Sequence, residues 1–368
     1  MKTNGRFRSA LVIGGAGFIG SNWAHRLLQQ DNVKVHVFDN LSRPGVRHNL
    51  EWLQREAGDS GRLLITVGDI RDSRMVERAV APATEVYHFA AQVAVTTSLI
   101  EPRYDFDVNL AGTLNVLEAV RKSANRPFLL YTSTNKVYGE MAGNLIVTRT
   151  RYRYADIQGV SEAQPLDLHS PYGCSKGAAD QYVRDYARMF DLPNVVLRMS
   201  CIAGPRQFGN EDQGWVAHFL YSALRGVRVT IYGDGRQVRD ILCIEDLLDA
   251  FDAVLAHRDR TAGEIYNVGG GPDNASSLVE LIADIESLTG RRLEHVFEPR
   301  RPGDQLVYIS DVAKLQRDTG WRPRTSVRQT LEGIYAWWKK NRQLFPEPVA
   351  ARAPAGSPTP LLDLPRSA

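Results

Sequence analysis

The chain of 368 residues is 43% hydrophobic and 24% charged, a balance that fits a soluble globular protein of one large or two modest domains and excludes fibrous and wholly disordered classes. Its formal charge of +3 is spread along the chain without basic runs, so no nucleic-acid partner is expected. No stretch reaches the roughly 18 apolar residues of a membrane span. The three cysteines, Cys174, Cys201 and Cys243, are too far apart for a paired zinc motif; they suit a reducing cytoplasm, and no metal is expected.

The basic N-terminus runs into a short apolar stretch that glycines soon interrupt, which predicts a first strand rather than a signal peptide. From residue 9 to about 200, the β-rich runs SALVIG, KVHVFD, LLITVGD, EVYHFAA, FLLYTST and NVVLRMS alternate with helix-length segments. This alternation predicts an α/β fold, a Rossmann-type doubly wound parallel sheet covered by helices on both faces, over residues 1–200. Residues 201–345, with short strands near VTIYG and EIYNVG, predict a smaller mixed C-terminal substrate-binding lobe. Residues 346–368, rich in Pro, Ala and Ser, predict a disordered tail.

The first strand enters GGAGFIG, in which Gly14, Gly17 and Gly20 recur every third residue and a helical pattern follows. Glycines here permit a tight turn, close approach to a pyrophosphate and helix–sheet packing. A second strand ends at Asp39, about 20 residues on, where an acidic side chain can accept bonds from both ribose hydroxyls and repel a 2′-phosphate, so NAD is preferred to NADP. Arg43 is the residue nearby that could accommodate such a phosphate. Asp69 and Ile70 follow the third strand where an adenine ring could lie, although Asp69 reads equally well as a helix cap.

Tyr172 and Lys176 lie four apart at the start of a helix and so share a face. The spacing alone is weak, because Tyr335 and Lys339 repeat it. Position separates the two pairs: Tyr172 opens a helix after FLLYTST, in the nucleotide-binding half. An ammonium beside a phenol favours the phenolate and makes it a better base. Thr134, or Ser133, ends the neighbouring strand with a hydroxyl able to orient the same substrate oxygen.

GGAGFIG, Asp39, HFAAQ, TSTNKVYG and the Tyr172/Lys176 pair together resemble the extended short-chain dehydrogenases/reductases that act on nucleotide sugars, over about residues 9–340. The resemblance implies catalytic roles for Thr134, Tyr172 and Lys176. It implies NAD contacts from Gly14, Gly17, Phe18, Ile19, Gly20, Asp39, Asn40, Asp69, Ile70, Ala90, Ala91, Gln92 and Asn109, together with Tyr172 and Lys176. Nucleotide-sugar contacts are implied for Gln92, Ser133, Thr134, Asn135, Arg206, Gln207, Arg239 and Arg301; guanidinium groups suit a diphosphate. For Arg239 the plainer alternative is a surface ion pair with Asp240.

FDNLSR, AVTTS, HSPYGCSKGAADQY, DQGWV and GRQVRD resemble a branch of this family that inverts C2 of a CDP-hexose, whereas CIAGPRQ departs from it at Cys201, Ile202, Ala203 and Pro205. Sugar 4,6-dehydratases of the family need an acid and a base beside the catalytic Thr, and Asn135 and Lys136 stand there instead. A 4-epimerase is the alternative activity. A non-catalytic NAD(H)-responsive protein would be marked by loss of Tyr172 or Lys176, and both are present. The resemblance further implies a homo-oligomer, dimer or tetramer, paired through helices at about 97–121 and 171–190. Residues 140–169 form an insert expected to serve as a lid or an interface arm.

Overall fold

The computed structural model describes residues 7–141, 143–301 and 303–345; the tail expected over 346–368 lies outside them. The chain runs β1 (Arg8–Ile13), α1 (Phe18–Leu28), β2 (Val33–Asp39), α2 (Val46–Ala57), β3 (Leu63–Val67), α3 (Ser73–Val80) and β4 (Glu85–His88). Then α4 (Val95–Ile100), α5 (Pro102–Phe106), a π-turn over Asp107–Ala111 and α6 (Gly112–Lys122) lead to β5 (Phe128–Thr134). A hairpin of β6 (Leu145–Val147) and β7 (Tyr152–Tyr154) precedes α7 (Ser170–Phe190), β8 (Asn194–Met199) and β9 (Cys201–Ala203). Next come α8 (Trp215–Arg225), β10 (Val229–Tyr232), β11 (Val238–Cys243), α9 (Ile244–Ala256), α10 (Arg258–Thr261) and β12 (Ile265–Val268). Then follow β13 (Ala275–Ser277), α11 (Leu278–Thr289), β14 (His295–Glu298), β15 (Val307–Tyr308), α12 (Ala313–Thr319) and α13 (Val327–Lys340).

The six runs read as strands all pair in one parallel, seven-stranded sheet of order β12-β8-β5-β4-β1-β2-β3. Its central strands are buried because helices cover both faces; β4 and β5 are buried at every residue. One face packs on α1, α2 and α9, the other on α3, α6 and α7. The order reverses between β1 and β4, and the crevice at the carboxyl ends of the strands is where such sheets bind ligands.

The seventh strand is a correction. Ile265–Val268 was expected in the small lobe but pairs with β8, Ile265 opposite Val196 and Val268 opposite Met199. Helix α9 returns with it, burying Phe251 edge-on against Trp23 of α1 at 5.3 Å between ring centroids. The chain therefore leaves the first sheet near residue 200 and re-enters it over 244–268, so a boundary at residue 200 does not divide it into two folding units. The second lobe is built from β9, β11, β13 and β15, the pair β10–β14, and α8, α11 and α13 around Leu220, Ile285, Leu331 and Trp337.

The helix expected at 97–121 is also not continuous. Pro102 cannot donate to a preceding turn, so α4 ends at Ile100 and α5 starts afresh, and the π-turn then rotates Asn109 into the interior. The insert forms a strap on the second lobe. Arg151 pairs with Glu280 at 2.5 Å, Tyr152 donates its hydroxyl to Asp234 at 2.7 Å, and Val160 N donates to Ile309 O at 2.7 Å.

Candidate active site

A cavity of about 780 Å3 opens at the carboxyl ends of the strands and is lined by every residue expected to bind cofactor or substrate except Asn109. At its floor Gly14 takes a φ of +79°, and a Cβ there would stand 2.6 Å from Ala90 N. A Cβ on Gly20 would stand 2.1 Å from Gly14 O. These contacts are with backbone that cannot move aside, so the helix can approach the sheet this closely only with glycine. Gly17 caps α1 without a side-chain bond, leaving the first-turn amides at the positive end of the helix for an anion.

Asp39 ends β2 at the cavity wall, accepting from Ala16 N at 3.0 Å and Leu41 N at 2.8 Å, while burial raises its pKa. Asn40 donates to Asp69 at 3.0 Å, and bonds from Arg71 hold the Asp69 carboxyl at about 2. The cap of α3 is Asp72, which accepts from Arg74 N and Met75 N, so the alternative capping role of Asp69 is excluded. An uncapped helix N-terminus, a glycine cradle and a carboxylate at the second strand end fit a dinucleotide of the NAD type.

Thr134 ends β5 beside Tyr172 of α7. Its hydroxyl accepts from Lys136 N at 3.2 Å and donates to Asn135 at 3.3 Å. Tyr172 is 7% exposed, and burial pushes its pKa up to about 12 against the opposing effects of the Thr134 hydroxyl and Arg43. This differs from the expectation that Lys176 lowers it. Lys176 Nζ instead donates to Thr132 O at 2.8 Å and sits 4.2 Å from the Tyr131 ring centroid, and burial pulls its own pKa down to about 7. Sharing a helix face brought both groups into one buried wall, where desolvation is the largest cause of each shift. The other pair lies on α13, with Lys339 Nζ 4.6 Å from the Tyr335 ring.

On the substrate side, Ser133 Oγ and Gln207 Oε1 are buried without a hydrogen-bond partner among the described residues and line the cavity, which leaves both for a ligand. Gln92 and Asn135 are engaged: Gln92 donates to Ala94 O at 2.8 Å and to Asp105 at 2.9 Å, and Asn135 donates to Gln305 at 3.1 Å. Asn109 stands behind the wall, accepting from Gln92 N at 2.9 Å.

Arg239 pairs with Asp304 at 2.7 Å, not with Asp240, whose buried carboxylate accepts from Ser200 and Gly271 N. Lys136 shares the same Asp304 oxygen at 3.2 Å. Arg301 stacks 3.7 Å from the Tyr232 ring centroid and pairs with Asp212 at 3.2 Å. Arg206 stacks 3.2 Å from the Trp52 ring centroid on α2. Sequence reading missed Asp304, whose only signal was an acidic residue three places after Arg301. Arg43 reaches across the cavity to Gln213 of the second-lobe loop.

Comparison with known proteins agrees with this geometry. The family model described as GDP-mannose 4,6 dehydratase matches residues 11–334. The chain is 41% identical to CDP-paratose 2-epimerase of Salmonella typhi, over 89% of this chain and 98% of that one. It is 32% identical to dTDP-glucose 4,6-dehydratase of Neisseria gonorrhoeae, over 93% and 98%. It superposes on the UDP-glucuronic acid 4-epimerase of Bacillus cereus, solved with UDP-glucuronic acid and NAD, with a TM-score of 0.78 at 28% identity, covering 90% and 99%. With its glycine cradle, Asp39 and Thr134, Tyr172 and Lys176 around one cavity, the chain belongs to the NAD-dependent epimerase/dehydratase family of short-chain dehydrogenases/reductases.

Proposed function

We propose that this enzyme inverts C2 of a CDP-hexose of the CDP-paratose type, using NAD that stays bound through the cycle. The observation that carries the reading is the end of β5: beside Thr134 stand an amide, Asn135, bonded to Gln305, and a cation, Lys136, paired with Asp304. Among the described residues no carboxyl group adjoins Thr134 to protonate a leaving hydroxyl, which disfavours dehydration. The 41% identity to a 2-epimerase along nearly the whole chain favours C2 over C4.

No carbonyl adjoins C2 of such a sugar, so its hydrogen cannot leave as a proton. NAD supplies a reversible hydride acceptor. As the phenolate, Tyr172 takes the C2 hydroxyl proton, Thr134 bonds the oxygen, and Lys176 holds the strand end through Thr132 O. With NAD as that reversible acceptor, the 2-keto sugar would present its other face, and Tyr172 would return its proton to the C2 oxygen. Arg239 and Arg301 hold the diphosphate by exchanging their carboxylate partners for it, and Ser133 and Gln207 meet sugar hydroxyls with their unpartnered oxygens. Asp39 holds the adenosine ribose.

The enzyme is further proposed to act in the cytoplasm as a homo-oligomer. Cys174, Cys201 and Cys243 are unpaired, and among the described residues no helix is long and apolar enough to cross a membrane. Ile100, Phe106, Tyr182 and Met189 leave an apolar face exposed where α4 and α5 pack on α7.

The test is whether purified enzyme interconverts CDP-paratose and CDP-tyvelose without added cofactor. No turnover of CDP-hexoses with clear 4-epimerisation of a UDP-sugar would sink the reading. Tyr172→Phe is expected to keep NAD and lose turnover.

A further inference from the structure

Asp105 lies on α5, outside every motif that marks the site, and is 1% exposed. Its carboxylate has no cation within bonding distance among the described residues; it is held by three neutral donors. Oδ1 accepts from Gln92 Nε2 at 2.9 Å and Asn109 Nδ2 at 3.0 Å, and Oδ2 accepts from the Ser175 hydroxyl. Those donors sit on three different pieces of the active site: the loop after β4, the π-turn, and α7 between Tyr172 and Lys176.

Burial raises the pKa of the Asp105 carboxyl, while those three hydrogen bonds and the nearby charge of Lys176 favour its ionised form. Facing Tyr172 and Lys176 from the elements around them are Arg43 after β2, His88 on β4, Tyr131 on β5, Asp105 on α5 and Asp180 on α7. His88 is held neutral, its pKa pulled down to about 3 by burial and by Lys176. Asp105 is the carboxylate that acts on both catalytic groups: its charge disfavours the Tyr172 phenolate and favours the Lys176 ammonium.

We propose that Asp105 is a positioning residue for the reaction, locking Gln92, Asn109 and Ser175 into the cavity wall and setting the charge balance between Tyr172 and Lys176. The carboxylate favours the ammonium form of Lys176 inside a buried wall and raises the pH at which Tyr172 becomes the phenolate that accepts the substrate's proton. The inference rests on Tyr172 being the reacting phenol.

Asp105→Asn separates charge from architecture. Its amide oxygen can still accept from Gln92 and Asn109, and its NH2 can donate to Ser175 Oγ, whose own proton turns to Tyr172 O, already 3.2 Å away. The NAD-bound enzyme and this variant are titrated by phenolate absorbance with no sugar present, each against the same protein carrying Tyr172→Phe. The acid limb of kcat/KM then reports the same ionisation in turnover. Both midpoints are expected to move down by about one pH unit in Asp105→Asn, with thermal unfolding and KM near the parent's. Asp105→Ala, which also frees Gln92, is expected to add a raised KM to the same shift. Midpoints that coincide with the parent's in Asp105→Asn overturn the assignment, even where activity falls. A shifted titration in a protein that epimerises no CDP-hexose upholds the role of Asp105 and overturns the substrate reading instead.

Discussion

Lys176 Nζ donates to the carbonyl of Thr132 at 2.8 Å, tying α7 to β5 two residues before Thr134. The helix that carries Tyr172 is thereby tied to the strand that carries its hydroxyl partner through the buried side chain of Lys176. Its pKa falls from 10.5 to about 7 because burial costs the charged form more than Asp180 and Asp105 restore.

That cost makes stability depend on pH. The folded pKa is below the unfolded one, so the neutral amine is carried without penalty above pH 10.5, and the penalty grows as pH falls to about 7. Lys176→Met is therefore expected to raise the unfolding temperature relative to the parent below pH 7 and to lose that advantage above pH 10.5, while abolishing turnover. Calorimetric scans of both proteins across this window check it; a pH-independent difference would refute the linkage. Tyr172 works in the other direction, since its folded pKa is raised. The stability it contributes is fully present below pH 10.0 and is lost as pH rises through about 12.

The glycine loop gives a contrast between position and composition. Gly20→Ala places a methyl 2.1 Å from Gly14 O, and this clash with backbone is expected to cost about 3 kcal/mol and most of the NAD affinity. Gly290 ends α11 at a φ of +65° with nothing within 4 Å of a Cβ. Gly290→Ala is expected to cost about 1 kcal/mol, the left-handed strain alone, with NAD binding unchanged. Urea unfolding and NAD titration of both variants read the two effects separately.

What was legible in the sequence was what chemistry makes local. The strand, glycine turn and helix of residues 9–28 follow one another directly, as do β5 with Thr134 and α7 with Tyr172, and each appears where its residues place it. What was not legible depends on distance along the chain. β12 pairs with β8 across some 70 residues with nothing in Ile265–Val268 to say which sheet it joins. Asp304 meets Lys136 at a separation of 168 residues. Asp105 reads as an ordinary polar residue of a short helix, because its meaning comes from Gln92, Asn109 and Ser175 closing around it. The direction of the Tyr172 shift was missed for a related reason: spacing shows that two side chains share a face, but not how much water that face excludes.

The exposed apolar face on α4, α5 and α7 leads to a prediction about assembly. Ile100 is 81% and Met189 69% exposed, well beyond what scattered surface hydrophobics need. The parent is expected to be the homo-oligomer proposed above, and Ile100→Asp combined with Met189→Asp to be monomeric, both measured by light scattering at fixed concentration. Because neither residue lines the cavity, NAD binding should survive. A monomeric parent would refute the proposed assembly, and an oligomer unchanged in mass in the double variant would place the interface elsewhere.

Arg198 and Asp180 form a bidentate pair, both bonds 2.9 Å, that is almost wholly buried between β8 and α7. Arg198 also donates to the Tyr138 hydroxyl at 3.0 Å, which donates to Asn267 of β12 at 2.7 Å, so one guanidinium joins the catalytic helix to three parts of the sheet region. Asp180→Ala leaves that guanidinium buried without its counter-charge and is expected to cost about 3–5 kcal/mol. Asp180→Leu with Arg198→Met removes both charges at similar volume and is expected to recover most of the loss. The two substitutions thus separate fold from chemistry. The double variant should fold, yet Lys176 loses one of the carboxylates that hold up its pKa, so its ammonium is lost at a lower pH than in the parent. Denaturant unfolding of the single and double variants, with the pH profile of turnover in the double variant, measures both. A double variant no more stable than Asp180→Ala would mean that the pair contributes through geometry that hydrophobic packing cannot replace.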